Sequence, residues 1–134
     1  MKGFHEDDNN PSCDNNLKFA ENYYNAMLAK DFDKMASYLH NDVHFIGPLA
    51  EMHDKDAVVS AAKNFGGILQ DIQIRSRFSS GNQIMFAYDM IVPEPIGTFR
   101  AAVLMEFTNR LISKIELFYD ASPFEEKKSQ IFSQ

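Results

Sequence analysis

Asp89 is a carboxylate set among Phe86, Ala87, Tyr88, Met90 and Ile91. A carboxylate in such company is costly to bury alone, so it must pair, take up a proton or face a wet cavity. A raised pKa there would give a general acid or base usable near neutrality. Hydrogen bonding to a neighbouring Tyr or Arg would leave it only a shaper of the core. Tyr23 and Tyr24 are adjacent, about 100° apart on a helix, so one of them is expected to point inward. An inward phenol can donate a hydrogen bond to a ligand oxygen, or serve as a core ring with a satisfied hydroxyl. His53 lies in a loop expected to rim a pocket, where an imidazole titrates near neutrality or simply stays solvated. His40 and His44 have the i,i+4 spacing that binds metal on one continuous helix. Asn41-Asp42-Val43 reads as a helix-to-strand turn between them, so no zinc is expected there. The sequence has no Gly-rich phosphate loop, no G-x-S-x-G and no Cys/His pair, and no cofactor is expected.

The bulk composition limits what such groups can serve. A chain of 134 residues has the size of one domain, and 45% hydrophobic residues give it a real core. The 12 Phe and 5 Tyr must be packed inside or against a partner. The formal net charge of −6 argues against nucleic acid, which needs a basic surface to displace counterions, and against an anionic membrane. No apolar run is long enough to span a bilayer. Met1 to Asn16 is polar and acidic, unlike a signal peptide. The only cysteine, Cys13, allows no internal disulfide, which fits the cytoplasm.

Residues 1–15 read as a polar tail, and residues 16–134 as one domain. A first helix is expected from about Leu17 to Ala29, capped by Asp14, Asn15 or Asn16, with Leu17, Ala20, Tyr24, Met27 and Leu28 on one side. Asp31 caps a second, shorter helix buried through Phe32, Met35, Tyr38 and Leu39. Val43 to Ile46 is a short strand stopped by Gly47-Pro48. A third helix follows Asp54 or Asp56, with Gly66-Gly67 ending or breaking it. Four strands come next: Ile72 to Phe78, Gln83 to Val92, Phe99 to Thr108 and Leu111 to Asp120, in two hairpins. A short helix begins after Pro123. Helices on one side of an antiparallel sheet make an α+β fold. Both alternating sets of the strand from Ile84 to Val92 are mostly apolar, so both faces of the sheet should be covered. We expect the second cover to be another copy of the chain, a homodimer through the outer sheet face.

Three stretches together resemble the nuclear-transport-factor-2-like superfamily, in its SnoaL-like branch. They are Tyr23 to Asp33, Val43 to Pro48 with Asp56 opening a helix, and Ile115 to Phe124, where a strand ends in Asp before Pro-Phe. The resemblance covers about Leu17 to Phe124. It implies a cone-shaped roll of N-terminal helices on a curved antiparallel sheet, enclosing an apolar pocket. The fold hosts isomerases, cyclases, epoxide hydrolases, dehydratases and pure binding modules. Against its steroid isomerases, Tyr23 stands where the helix tyrosine would be. Gly47 and Val103 or Leu104 stand where aspartates would be, so that chemistry is not expected. Against the limonene-type epoxide hydrolases, Asp89 and Asp120 resemble the two acids, but Ala87 replaces the arginine. The SnoaL-type cyclases use an acid at the position Asp120 resembles.

The resulting expectation is a domain that binds a small, largely apolar molecule, with cofactor-free isomerase, cyclase, dehydratase or hydrolase chemistry. Asp120 is expected to act as acid or base, Asp89 as its partner in a shared cavity, and Tyr23 or Tyr24 as donor. Phe45, Met52, His53, Phe65, Met105, Phe107 and Phe118 are expected to line the pocket. The alternative is a non-catalytic binding or dimerisation module, which the missing arginine and first-strand aspartate favour.

Overall fold

Pro11 opens the first helix of the computed structural model, which describes residues 11–127 and the side chains from 15 to 124. The helix, α1, spans Pro11–Leu28. Proline suits a first helical position, where its fixed φ fits and its missing N–H is not needed. The expected caps Asp14, Asn15 and Asn16 therefore lie inside the helix, and the part of the expected tail before Pro11 lies outside the described residues. Ala20, Tyr24 and Met27 form the buried side. Lys30 ends α1 at φ 63°. The Lys30 N–H bonds the Met27 carbonyl at 3.1 Å and the Asp31 N–H the Ala26 carbonyl at 2.9 Å, the paired bonds of a Schellman end. Asp31 then accepts from the Lys34 N–H at 3.2 Å and caps α2, Phe32–Ser37.

Helix α3, Lys55–Ile68, is capped by Asp54, which accepts from the Asp56 N–H at 3.2 Å. Gly66 and Gly67 lie within α3 and do not end it. Gly66 is there for closeness: a Cβ would come within 2.8 Å of Phe32 and 2.9 Å of Met27. The helix is instead finished by Lys30, whose ammonium donates to the carbonyls of Gly66 and, at 2.7 Å, Leu69. A cation suits that negative end of the helix dipole.

The strands are β1 (Leu39–Ile46), β2 (Glu51–Met52), β3 (Asp71–Ser80), β4 (Gln83–Ile91), β5 (Thr98–Thr108) and β6 (Leu111–Tyr119). They form one sheet in the order β2-β1-β6-β5-β4-β3. The curved, open sheet with its N-terminal helices is the α+β fold expected. It is mixed, however, and not wholly antiparallel, because β1 runs parallel to β6. That contact joins strands distant in sequence, which no turn signal announces. Strand β1 also starts at Leu39, with a register break before His44, so Asn41 and Asp42 belong to an irregular strand and not to a turn. The β5–β6 hairpin turns on Asn109 and Arg110 at φ 53° and 70°, as a tight two-residue connection requires.

The alternation of β4 decides the layers. Ile84, Phe86, Tyr88 and Met90 are buried on the inner face, against α1, while Met85, Ala87, Asp89 and Ile91 are half-buried on the outer face. Val103, Met105 and Phe107 of β5 continue the inner core. On the outer face, Phe78 of β3 and Phe118 of β6 are about half exposed. After β6 a 3-10 turn, Ser122–Lys127, brings Phe124 back into the core.

Candidate functional site

A cavity opens between the helices and the inner face of the sheet. Tyr23, Tyr24 and Met27 of α1 form one wall, and Val58, Ala61, Ala62 and Phe65 of α3 another. The sheet supplies Phe45, Met52, Met90, Phe99, Ile115, Leu117 and Tyr119, and the terminal turn supplies Phe124. Its volume is about 70 Å³. The lining is overwhelmingly apolar, and its three methionines can reshape around a guest.

The polar atoms come from tyrosines. The Tyr24 hydroxyl hydrogen-bonds the Tyr88 hydroxyl at 2.8 Å in the buried interior. Tyr23 packs edge-on against Tyr24, ring centres 5.1 Å apart. Both helix tyrosines thus face inward, although only one was expected to: their adjacent positions straddle the broad buried side of α1, and Tyr88 gives Tyr24 a partner. Tyr23 is itself buried and lines the cavity. Burial pushes the Tyr23, Tyr24 and Tyr88 phenols well above their ordinary range, with further upward pushes on Tyr23 from Tyr24 and on Tyr24 from Tyr88. They are donors at physiological pH, not bases.

One end of the cavity is aromatic. Phe124 meets Phe99 at 4.8 Å and Tyr119 at 5.4 Å between ring centres, both edge-on. Such pairs are worth about 0.5–1.5 kcal/mol each beyond area burial. Asp120 builds this wall without entering it. Its Oδ1 accepts the Ser122 N–H at 3.0 Å, which bends the chain so that Phe124 returns to the core. That bond holds the Asp120 carboxyl below its usual value, the opposite of what a general acid near neutrality needs. Asp120 itself is exposed.

Asp89 is separated from the cavity by the sheet. It sits on the outer face of β4, across from Gln73 and Arg100, with Arg75 Nη1 3.6 Å from its Oδ1. The two acids expected to share a proton therefore do not meet in the cavity. The reason is parity: Tyr88 and Met90 take the inner positions of β4, so Asp89 between them must point outward.

Of the expected lining, Phe45, Met52 and Phe65 reach the cavity. Met105 and Phe107 are on the inner face but packed within the core, away from the cavity. Phe118 points outward, because Leu117 and Tyr119 on either side of it point in. In the unbroken apolar run Leu117-Phe118-Tyr119 hydrophobicity cannot choose a face. His53 is exposed on the outer side of the β1–β2 hairpin. Missed from the sequence were the α3 residues Val58, Ala61 and Ala62, already readable as that helix's apolar side, and Met90, Phe99, Ile115, Leu117 and Tyr119, which the alternation of their strands could have offered.

A family model described as a SnoaL-like domain matches residues 20–115. No curated protein matches the chain. Among solved structures, a Kribbella flavida protein is 22% identical, with a TM-score of 0.77 over 84% of this chain and 93% of that one. A Mycobacterium tuberculosis epoxide hydrolase of the LEH-like kind is 16% identical, with a TM-score of 0.72 over 83% of this chain and 86% of that one. A de novo designed protein with a curved β-sheet is 16% identical, with a TM-score of 0.77 over 88% of this chain and 94% of that one. At these identities the likeness is one of fold.

Proposed function

The chain belongs to the SnoaL-like domain family, and on that footing we propose that its cavity binds a compact, largely apolar molecule carrying one oxygen acceptor. The observation that supports this most is Tyr23, a buried residue of the cavity wall whose phenol stands in an otherwise apolar lining. A carbonyl or ether oxygen would take that donor, while the methionines and phenylalanines would enclose the hydrocarbon part. Small volume favours a ligand of a few heavy atoms over a sterol-sized one.

Cofactor-free acid–base catalysis, of the isomerase, cyclase, dehydratase or epoxide-hydrolase kind, would need a base as well as a donor. Neither Asp89 nor Asp120 is among the cavity residues, which favours binding over turnover. The test uses two probes, cyclohexanone and methylcyclohexane, titrated by NMR. We expect Tyr23→Phe to weaken the ketone about threefold to tenfold, the worth of one hydrogen bond, and to leave the hydrocarbon unchanged. Equal effects on both probes would remove Tyr23 as the oxygen's partner.

We further propose that two copies pair through the outer sheet face. Phe78, Met85, Leu104, Ala87, Ala102 and Phe118 lie there in adjoining cross-strand rows, more apolar surface than a solvated face needs. The chain's net charge of −6 and single cysteine support a reducing cytoplasm without nucleic-acid partners. Among the described residues no helix is long and apolar enough to cross a membrane.

A further inference from the structure

On the opposite side of the β1–β2 hairpin from the cavity, three metal-binding side chains converge. His44 leaves β1 outward, Glu51 leaves β2 on the same side, and His53 follows just after Met52. His44 Nε2 lies 2.7 Å from Glu51 Oε2, and His53 Nε2 lies 3.7 Å from the same oxygen. One ligand atom from each residue falls within 4.8 Å of the other two. The two imidazoles stack, ring centres 4.2 Å apart and 17° from parallel. Two nitrogens thus face one carboxylate oxygen from the same side.

We propose that His44, Glu51 and His53 form a binding site for a divalent transition-metal ion, with zinc the best match. The donor chemistry selects the metal class: two imidazoles and one carboxylate suit zinc, nickel or copper, whereas magnesium and calcium prefer oxygen alone. The spacing fits as well. A tetrahedral zinc about 2.0–2.1 Å from each donor places the donors about 3.3 Å apart. The observed 2.7 and 3.7 Å bracket that value, so small rotations of side chains that are 30%, 55% and 72% exposed suffice. The fourth position faces water.

The hairpin explains why the ligands stay together. Phe45 pairs with Met52, and Ile46 with Glu51, while the Gly47 N–H bonds the Ala50 carbonyl at 2.9 Å. Lys114, the neighbour of His44 on β6, has its ammonium 3.9 Å from Glu106, so its charge is partly met away from the site. A bound ion ties the two-residue β2 to β1. Because Phe45 and Met52 are cavity residues on the intervening rung, facing the other way, the ion would staple one wall of the pocket.

The experiment is a zinc titration of the untagged full chain by calorimetry at about pH 7.5, since metal binding displaces protons from its ligands. Cobalt absorption reports the coordination geometry. We expect one zinc per chain, a rise in Tm with zinc, and four-coordinate cobalt bands. His44→Ala, His53→Gln and Glu51→Gln should each weaken zinc by more than the roughly tenfold to hundredfold that loss of an outer-shell partner costs. His53→Gln alters an exposed loop residue and keeps the fold available for the comparison. His5→Ala with Cys13→Ser, and separately His40→Ala, should bind as the parent does. No binding at about 100 µM zinc, or binding that survives the His44 and His53 changes, or that is lost with His5 and Cys13, would overturn the proposal.

Discussion

Asp120 stabilises a turn, and its own chemistry says so. A depressed carboxyl pKa means the charged form is favoured in the folded state. Its contribution is therefore present above the unfolded value of 3.8 and is lost as the pH falls through the lower folded value. We expect Asp120→Asn, which can form the same side-chain turn, to leave probe binding unchanged and to flatten part of the acid end of a stability-against-pH curve. Loss of binding or turnover in that variant would return Asp120 to the site. The tyrosines act at the other end of the scale. Folding raises the Tyr23, Tyr24 and Tyr88 pKa values above 10.0, chiefly by burial. Their contribution is complete below pH 10.0 and falls as the pH rises above it, because the unfolded chain then ionises first. Urea unfolding between neutral and strongly alkaline pH should show that decline, and Tyr88→Phe should cost about 1–3 kcal/mol by leaving the Tyr24 hydroxyl unpaired.

At the scale of elements, the junction of α1, α2 and α3 carries the helical layer. Lys30 closes α1 with its backbone and α3 with its side chain. Gly66 allows Phe32 and Met27 to reach the α3 backbone. Gly66→Ala adds helix propensity but puts a methyl group into both neighbours. We expect overpacking to win, with a loss of about 1–3 kcal/mol in urea unfolding. A gain would show that Phe32 yields freely. The sequence marks Gly66-Gly67 as a helix stop because glycine commonly ends helices. Here a partner supplied from another helix caps the end, and the glycine serves packing. Helix types, the four long strands and the hairpin at Asn109-Arg110 are legible because periodicity and turn chemistry are local. The parallel seam of β1 with β6 is not, since nothing near either strand encodes it.

For the whole molecule, the open sheet leaves one face to be covered. If that face pairs, sedimentation should report a dimer, and Phe118→Glu should shift it to monomer with the helical signal unchanged. Phe118 is 46% exposed in the single chain, so a charge there costs the fold little and an interface much. A wild-type monomer at all concentrations would instead mean that the outer apolar rows simply face solvent. Cavity and outer face are built from alternating residues of the same strands, so a one-position slip exchanges their roles.

Composition, period and turn residues by themselves determined the layered α+β architecture and an inward tyrosine on α1, and together with the family resemblance they pointed to Phe45, Met52 and Phe65 as cavity residues. These follow from burial, which the pattern of apolar residues reports directly. Tertiary structure alone decided that Asp89 and Asp120 stay out of the cavity, that Phe118 looks outward, and that His44, Glu51 and His53 come together. Those outcomes depend on strand parity, a bent chain end and a cross-strand rung, each of which relates residues only after the sheet has formed.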